Sequence, residues 1–173
     1  FSAIVHHIIG QQISTAAQAT IWSRLLNAAG TVNADSLTSL GRDRLQQIGI
    51  TYKKADYILD FAKQVQTGTL NLEHLWSLSD EEVIRELTKL KGVGVWTAEM
   101  ILTFCMQRPN IVSFGDLAIQ RGMRMLYRHR KIDRTKFERY QKRYAPYGTV
   151  ASLYLWAIAG GAVPELTDPA GKK

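Results

Sequence analysis

The alternation of apolar and polar positions along the chain predicts helices almost throughout. Apolar residues recur three and four positions apart, which is the spacing of one face of an amphipathic helix, and capping residues or glycines bound each run. The predicted helices cover residues 4–9, 15–29, 35–40, 43–48, 53–66, 71–77, 80–90, 95–106, 116–128, 134–144 and 149–159. Residues 111–115 have the composition of a strand but no visible partner, so we expect a buried extended loop. The pattern therefore indicates an all-α protein of about ten helices.

A turn with two glycines separates two of these helices. Residues 90–98 read LKGVGVWTA, with a helical pattern ending before the turn and another starting directly after it. Glycine tolerates positive φ and allows close approach, so the N–H groups at the start of the second helix can form a small site for an anion such as phosphate. A Gly-x-Gly turn is also an ordinary connection between antiparallel helices. The turn alone leaves both interpretations open.

The charge is unevenly distributed. The formal net charge is +7, and residues 116–143 contain ten Lys or Arg against three acidic residues, while the rest of the chain is neutral. A basic cluster of this kind is typical of a nucleic-acid-binding surface, although a solvated helix face can have the same composition.

Several kinds of site are excluded by what the chain lacks. Cys105 is the only cysteine, so this chain cannot build a disulfide framework, a zinc site of cysteine ligands or a four-cysteine iron–sulfur cluster. Its four histidines show no ligand spacing, and no apolar run approaches the roughly 18 residues of a membrane span. We expect a soluble, intracellular protein without membrane association or a catalytic metal.

Asp116 is the most notable acidic residue. It follows Gly115 and precedes an apolar run at the predicted start of a helix. An aspartate at this position can be a simple N-cap. If the carboxylate is also partly buried in a cleft, it can stabilise a cation or activate a water molecule.

Together, residues 90–98 and Asp116 resemble the helix-hairpin-helix, glycine/proline-rich loop and aspartate signature of base-excision DNA glycosylases, the HhH-GPD superfamily. Residues 9–14 (IGQQIS), and residues 144–148 (YAPYG) followed by Trp156, resemble its AlkA-like branch, the 3-methyladenine DNA glycosylase II type. The resemblance implies a two-lobed helical fold with a cleft between the lobes. Residues 1–173 then form one catalytic domain, with one lobe of about 1–14 plus 111–173 and the other of 15–110, including the hairpin 80–106.

The resemblance also implies roles for individual residues. Asp116 matches the essential aspartate, and Gln12 matches a residue that wedges into the duplex, although a surface glutamine is the ordinary alternative. The implied base pocket contains Trp96, Trp156, Met100 and Leu117, the last two standing where the bacterial archetype has tyrosines. The implied phosphate-binding residues are Gly92, Val93, Gly94, Val95, Trp96 and Thr97, and the main-chain carbonyls of Thr88, Leu90 and Val93 match those that hold a structural Na+ or K+.

Trp96 stands where bifunctional relatives have a lysine nucleophile, so the resemblance implies no Schiff base and no lyase step. The implied function is a monofunctional glycosylase that flips alkylated purines, of the 3-methyladenine and 7-methylguanine type, out of damaged double-stranded DNA and releases them hydrolytically. We expect a monomer with no catalytic cofactor, located in the bacterial cytoplasm and nucleoid or in a eukaryotic nucleus. The alternatives are a non-catalytic DNA-binding or damage-sensing module and a glycosylase for mismatched or oxidised bases.

Overall fold

The computed structural model describes residues 1–171 and confirms the all-α prediction. Within this range there are nine α-helices, two short 3-10 turns and no strand. The helices are α1 (Ser2–Gly10), α2 (Thr15–Ala29), α3 (Ala34–Ile48), α4 (Tyr52–Gln66), α5 (Asp80–Leu87), α6 (Val95–Phe104), α7 (Leu117–Tyr127), α8 (Arg134–Tyr144) and α9 (Gly148–Ala159), and the 3-10 turns are His74–Ser77 and Pro169–Gly171. No helix in the described range has both the length and the apolarity to cross a bilayer.

Side-chain caps fix where the helices start. The hydroxyls of Ser14 and Ser79 accept backbone N–H bonds at the starts of α2 and α5, and Glu82 completes a capping box with Ser79. Within α3, Gly41 has φ 72° and ψ 173°, which interrupts the helix. The prediction of two short helices in this segment, 35–40 and 43–48, is therefore confirmed.

The chain divides into two compact units, Phe1–Ile101 and the residues from Leu102 onward. In the first unit, α3 packs against α2 and α4, and α1 packs against the same two helices. Its fully buried apolar residues include Val5, Ile8, Leu25, Leu37, Ile58, Phe61 and Leu87. The lobe grouping implied by the resemblance, which joins residues 1–14 to 111–173, stays a prediction.

In the second unit, α7 packs closely against α9. A Cβ added to Gly122 on α7 would lie 2.3 Å from the carbonyl oxygen of Leu155 on α9, so a residue without a side chain is required at this contact. The buried core around this contact consists of Val112, Ile119, Met123, Ile132, Phe137, Tyr140 and Leu155.

The end of the described chain is attached to α7 by an ion pair. The guanidinium of Arg124 donates to both carboxylate oxygens of Asp168, at 2.9 and 2.6 Å, and both side chains are largely buried. This bidentate bond holds the pKa of Asp168 at about 2. The sequence suggests a frayed tail over residues 167–173, and for residues 167–171 that expectation is wrong. Residues 172 and 173 lie outside the described range.

Replacing Asp168 with asparagine should make stability less dependent on acid pH. Because the folded-state pKa of Asp168 lies below the ordinary value of about 3.9, its ion pair stabilises the fold above about pH 4 and is lost as the pH falls toward 2. We expect Asp168→Asn to lower the free energy of unfolding by roughly 1 kcal/mol at pH 7, and by much less near pH 2. Urea unfolding at both pH values measures this, with the exposed-site variant Asp43→Asn as the control. An equal loss at both pH values would contradict the ion-pair explanation.

Candidate functional site

The glycine turn between α5 and α6 lies directly on an aromatic ring. α5 ends at Leu87, three residues earlier than the sequence pattern predicts, and successive tight turns lead to α6. Gly92 has φ +82°, and a Cβ at this position would lie 2.3 Å from Cδ2 of Tyr57. Both the backbone angle and the contact with the ring therefore require glycine here. Gly94, in contrast, is open, because a Cβ added there would have no atom within 4 Å.

The start of α6 has the features of an anion-binding site. The Ala98 N–H donates to the carbonyl of Gly94 at 3.0 Å, so the helix begins directly after this open glycine. The first N–H groups of a helix have no acceptor within the helix, and its N-terminus carries a partial positive charge. Val95 is 56% exposed, so this end is accessible, whereas Thr97 is buried. The predicted phosphate-binding segment 92–97 therefore has an exposed backbone at its centre.

The loop that carries Gln12 is bonded to both the hairpin and α4. The side-chain amide of Gln11 donates to the carbonyl of Gly92 at 2.6 Å. The ammonium of Lys54, on α4, donates to the carbonyls of Ile9 and Gln11 at 2.8 and 2.6 Å. Burial lowers the pKa of Lys54, and the two carbonyls replace part of its hydration. One lysine and one amide thus connect three separate segments of the first unit.

Gln12 itself lies at an exposed point of this fixed loop. Its φ of +59° is in the left-handed region, which is uncommon for a residue other than glycine. The bonds made by Gln11 and Lys54 on the adjacent backbone hold the loop in this conformation. Beside it is a cavity of about 360 Å³ lined by Gln11, Gln12, Ile13, Thr51, Lys53, Lys54, Tyr57 and Gly92.

Asp116 is both a helix cap and a buried carboxylate. Its Oδ1 accepts the N–H groups of Ala118 and Ile119 at 2.9 Å each, at the start of α7, and the residue is only 7% exposed. The two alternatives raised by the sequence therefore coexist: the cap is confirmed, and the carboxylate is also shielded from solvent. The backbone before it is held by the amide of Gln120, which donates to the carbonyl of Phe114 at 2.6 Å. The predicted buried extended loop over 111–115 is confirmed for residues 111–113, whereas Phe114 and Gly115 form a turn and Gly115 is exposed.

The predicted pocket residues lie in different surroundings. Trp96 is 45% exposed and Met100 is buried, both in the first unit, while Leu117 is 79% exposed in the second. Trp156 is half-buried in the second unit and stacks on Phe104, with 5.6 Å between ring centroids and 18° between ring planes. Phe104 therefore covers one face of Trp156, a contact that no sequence signal indicated.

Two reactive or charged side chains lie before and after α6 in the chain. Cys105 comes directly after α6 and is half-buried, and burial raises the pKa of its thiol, which makes it a weak nucleophile at neutral pH. The ammonium of Lys91, next to the glycine turn, lies 3.6 Å from Oδ1 of Asp60 and is largely exposed.

These elements define a helix-hairpin-helix protein whose second unit carries a buried carboxylate at a helix start. Residues 5–146 match the sequence profile of the family described as "HhH-GPD superfamily base excision DNA repair protein". The chain therefore belongs to the HhH-GPD superfamily.

Proteins that are similar to this chain in sequence or structure are named as 3-methyladenine DNA glycosylases or glycosidases. The chain is 28% identical over its whole length to DNA-3-methyladenine glycosylase 1 of Schizosaccharomyces pombe, of which it covers 77%. A Bacillus halodurans DNA-3-methyladenine glycosidase structure matches 94% of the chain with TM-score 0.84 and 36% identity, over 76% of its own length. A S. pombe 3-methyladenine DNA glycosylase in complex with abasic DNA matches 95% of the chain with TM-score 0.80 and 25% identity, over 82% of its own length. The chain spans only 58% and 56% of two Bacillus subtilis relatives.

Replacing Lys54 with methionine should release the loop that carries Gln12. The substitution keeps the length of the side chain but leaves two partly buried carbonyls without their donor. We expect the free energy of unfolding to fall by about 1 to 3 kcal/mol, and amide exchange at residues 11–13 to become faster. Urea unfolding and hydrogen exchange measure the two effects.

Lys63→Met is the matched control, because Lys63 lies on the same helix and is exposed. We expect this control to change stability by less than about 0.5 kcal/mol. Equal effects of the two substitutions would show that Lys54 does not hold the loop.

Proposed function

We propose that this chain is the catalytic domain of a monofunctional DNA glycosylase that releases alkylated purines, of the 3-methyladenine and 7-methylguanine type, from double-stranded DNA. The observation that carries the proposal is the buried Asp116 carboxylate, fixed at the start of α7 in a member of a base-excision repair superfamily. The names of the similar proteins support the choice of alkylated bases.

Asp116 would act on the sugar. Alkylation at N3 or N7 makes a purine cationic and weakens its glycosidic bond, so departure of the base leaves positive charge on the deoxyribose. A carboxylate that is already oriented by two backbone N–H groups can stabilise this charge with little reorganisation and can orient the attacking water. The product would be a free base and an abasic site.

Aromatic rings would bind the extruded base. The exposed ring of Trp96 offers a π surface for a cationic purine, and Trp156, which stacks on Phe104 and packs against the core of the second unit, would contribute the part of its ring that remains exposed. Each such contact is worth about 0.5 to 2 kcal/mol. Leu117, which is exposed next to Asp116, and the buried Met100 are the other two residues that the family resemblance assigns to base binding. Since Trp96 is not a lysine, no Schiff base forms at this position and no strand cleavage follows.

The hairpin and the Gln12 loop would hold and deform the duplex. The backbone at Gly94 and Val95 would bind a phosphate, which gives affinity without sequence preference and with strong salt dependence. Gln12 would enter the space left by the extruded base. Extrusion costs a few kcal/mol and is least unfavourable where pairing is already damaged.

A structural Na+ or K+ would fit at the same hairpin. The carbonyls of Thr88, Leu90 and Val93 lie between the end of α5 and the start of α6, and oxygen donors suit these ions. The carbonyl of Leu90 already accepts the N–H of Val93 at 3.1 Å, but a carbonyl oxygen has a second lone pair available. When bound, the ion would add positive charge beside the phosphate.

Asp116→Asn should abolish excision and keep the fold. Asparagine caps helices as well as aspartate does, so α7 is retained while the negative charge is lost. We expect single-turnover release of 3-methyladenine from methylated DNA to fall by about 100-fold or more. Asp133→Asn is the matched control, because Asp133 caps α8 in the same way but is exposed, and it should excise at the wild-type rate.

Each other outcome points to a different function. Equal release by wild type and Asp116→Asn contradicts the catalytic role of Asp116. If wild type binds methylated DNA but releases no base, the chain is a damage-sensing module. Release of oxidised or mismatched bases, but not of alkylated ones, points to a different substrate class.

Gln12→Ala should impair base flipping more than DNA binding. The truncation removes the group that fills the gap in the duplex but leaves the phosphate contacts in place. We expect about a tenfold loss of single-turnover excision, with a reduced fluorescence rise of 2-aminopurine placed beside the lesion. Gln46→Ala, at an exposed position on α3, is the control and should change neither. Unchanged flipping in Gln12→Ala would remove this residue from the mechanism.

A further inference from the structure

The basic segment divides into two groups of side chains. Four of its cations face carboxylates: Arg121 and Arg124 face Asp168, Arg134 faces Glu138, and Lys136 faces Asp133. The other six make no salt bridge among residues 1–171, although Lys131 lies near enough to Asp133 to lower the pKa of that carboxyl, and they are Arg128, Arg130, Lys131, Arg139, Lys142 and Arg143. The cations of the basic segment 116–143 that no salt bridge neutralises therefore lie within residues 128–143, a shorter part of the segment that the sequence indicates.

Two of these six cations share one aromatic ring. The guanidinium carbons of Arg139 and Arg143 lie 5.2 and 5.5 Å from the ring centroid of Tyr140. Contacts of this kind orient a guanidinium and reduce its freedom while leaving its N–H groups available as donors. The two arginines are four residues apart on α8 and so project from the same side of the helix.

The ring beneath them is firmly held. Tyr140 is 5% exposed and stacks on Tyr127, with 3.8 Å between centroids and 4° between planes. The Tyr140 hydroxyl is 2.7 Å from Nε2 of His129, and the Tyr144 hydroxyl donates to that of Tyr127 at 3.1 Å. We call Tyr127, Tyr140 and Tyr144 the tyrosine platform. The arginines thus rest on a rigid base and not on a mobile surface.

This arrangement places the like charges of Arg139 and Arg143 together, and neither forms a salt bridge with a carboxylate among the described residues. Two cations four residues apart on a helix destabilise it by a few tenths of a kcal/mol. The helix dipole favours cations in the last turn, which accounts for Lys142 and Arg143 but not for Arg139 or for Arg130 and Lys131 before the helix. A bound anion would relieve the repulsion and use the guanidinium donors.

We propose that Arg139 and Arg143 on the tyrosine platform form a binding site for the phosphodiester backbone of nucleic acid, independent of any lesion. Guanidinium groups match phosphate oxygens in geometry, and the exposed Arg130, Lys131 and Lys142, which are near in sequence, add positive charge. The proposal rests on the family's action on DNA but not on base excision, so it can fail while the glycosylase activity stands.

The test compares two double variants of α8 with the same change in charge. One is Arg139→Gln with Arg143→Gln, and the control is Arg134→Gln with Lys136→Gln, whose side chains are already paired with acids. Binding of an undamaged 30-base-pair duplex is measured by fluorescence anisotropy from 50 to 200 mM KCl. We expect the slope of log affinity against log salt to become shallower by about 2 in the first variant and by less than about 0.5 in the control.

Three further measurements decide what the result means. Single-turnover excision at saturating enzyme should be unchanged in the first variant, since the site is independent of the lesion. This unchanged excision also shows that the glutamine variant is folded. Arg139→Lys with Arg143→Lys keeps both charges and should restore most of the slope, which shows that the loss comes from the missing charge. Equal slopes in the glutamine variant and the control overturn the proposal. If millimolar inorganic phosphate saturates the two arginines but the slope of log DNA affinity against log salt stays the same, DNA does not use this site and the proposal is likewise overturned.

Discussion

The hydrogen bond from the Gln11 amide to the Gly92 carbonyl fixes the loop that carries Gln12 against the glycine turn, and the candidate DNA-binding surface of the first unit depends on it. It connects a loop near the chain start to a turn 81 residues later, and Lys54 fixes the same loop from a third element. Because Gly92 rests on the ring of Tyr57, the turn cannot move without disturbing α4. The open backbone at Gly94 and the exposed Gln12 therefore belong to one local framework, as a surface that grips a phosphate and enters a duplex requires.

The two helix starts are used in opposite ways. At α6 the sequence has glycines and no acidic cap, so the positive end of the helix stays accessible to an external anion. At α7 the carboxylate of Asp116 occupies the equivalent position and is shielded from solvent. In the proposed function the same electrostatics hold DNA at one end and orient a catalytic group at the other. The two helix starts differ because a glycine, Gly94, precedes α6 whereas an aspartate, Asp116, precedes α7.

Local features of the sequence predict local structure well in this chain. The helix starts at residues 15 and 80, the interruption between 40 and 43 and the buried extended residues 111–113 all depend on residues within a few positions, and all are confirmed. The end of α5 at Leu87 is missed because the tight turns after it keep the helical spacing of apolar residues.

Contacts between distant parts of the chain could not be predicted. The stacking of Phe104 on Trp156, the pairing of Arg124 with Asp168 and the bonds of Lys54 each join residues more than forty positions apart. A single sequence contains no periodicity that records such pairs. For the candidate site, the motif and the family resemblance thus predict which residues take part. The structure is needed to show which contacts fix those residues in position.

The central claim is hydrolytic release of a base without a covalent enzyme intermediate. The most direct measurement incubates the protein with methylated duplex DNA in the presence of borohydride, then quantifies free bases by mass spectrometry and cross-linked protein on a gel. A monofunctional glycosylase gives free 3-methyladenine, intact abasic strands and no trapped protein. Absence of free base, or a borohydride-trapped complex, would contradict this claim.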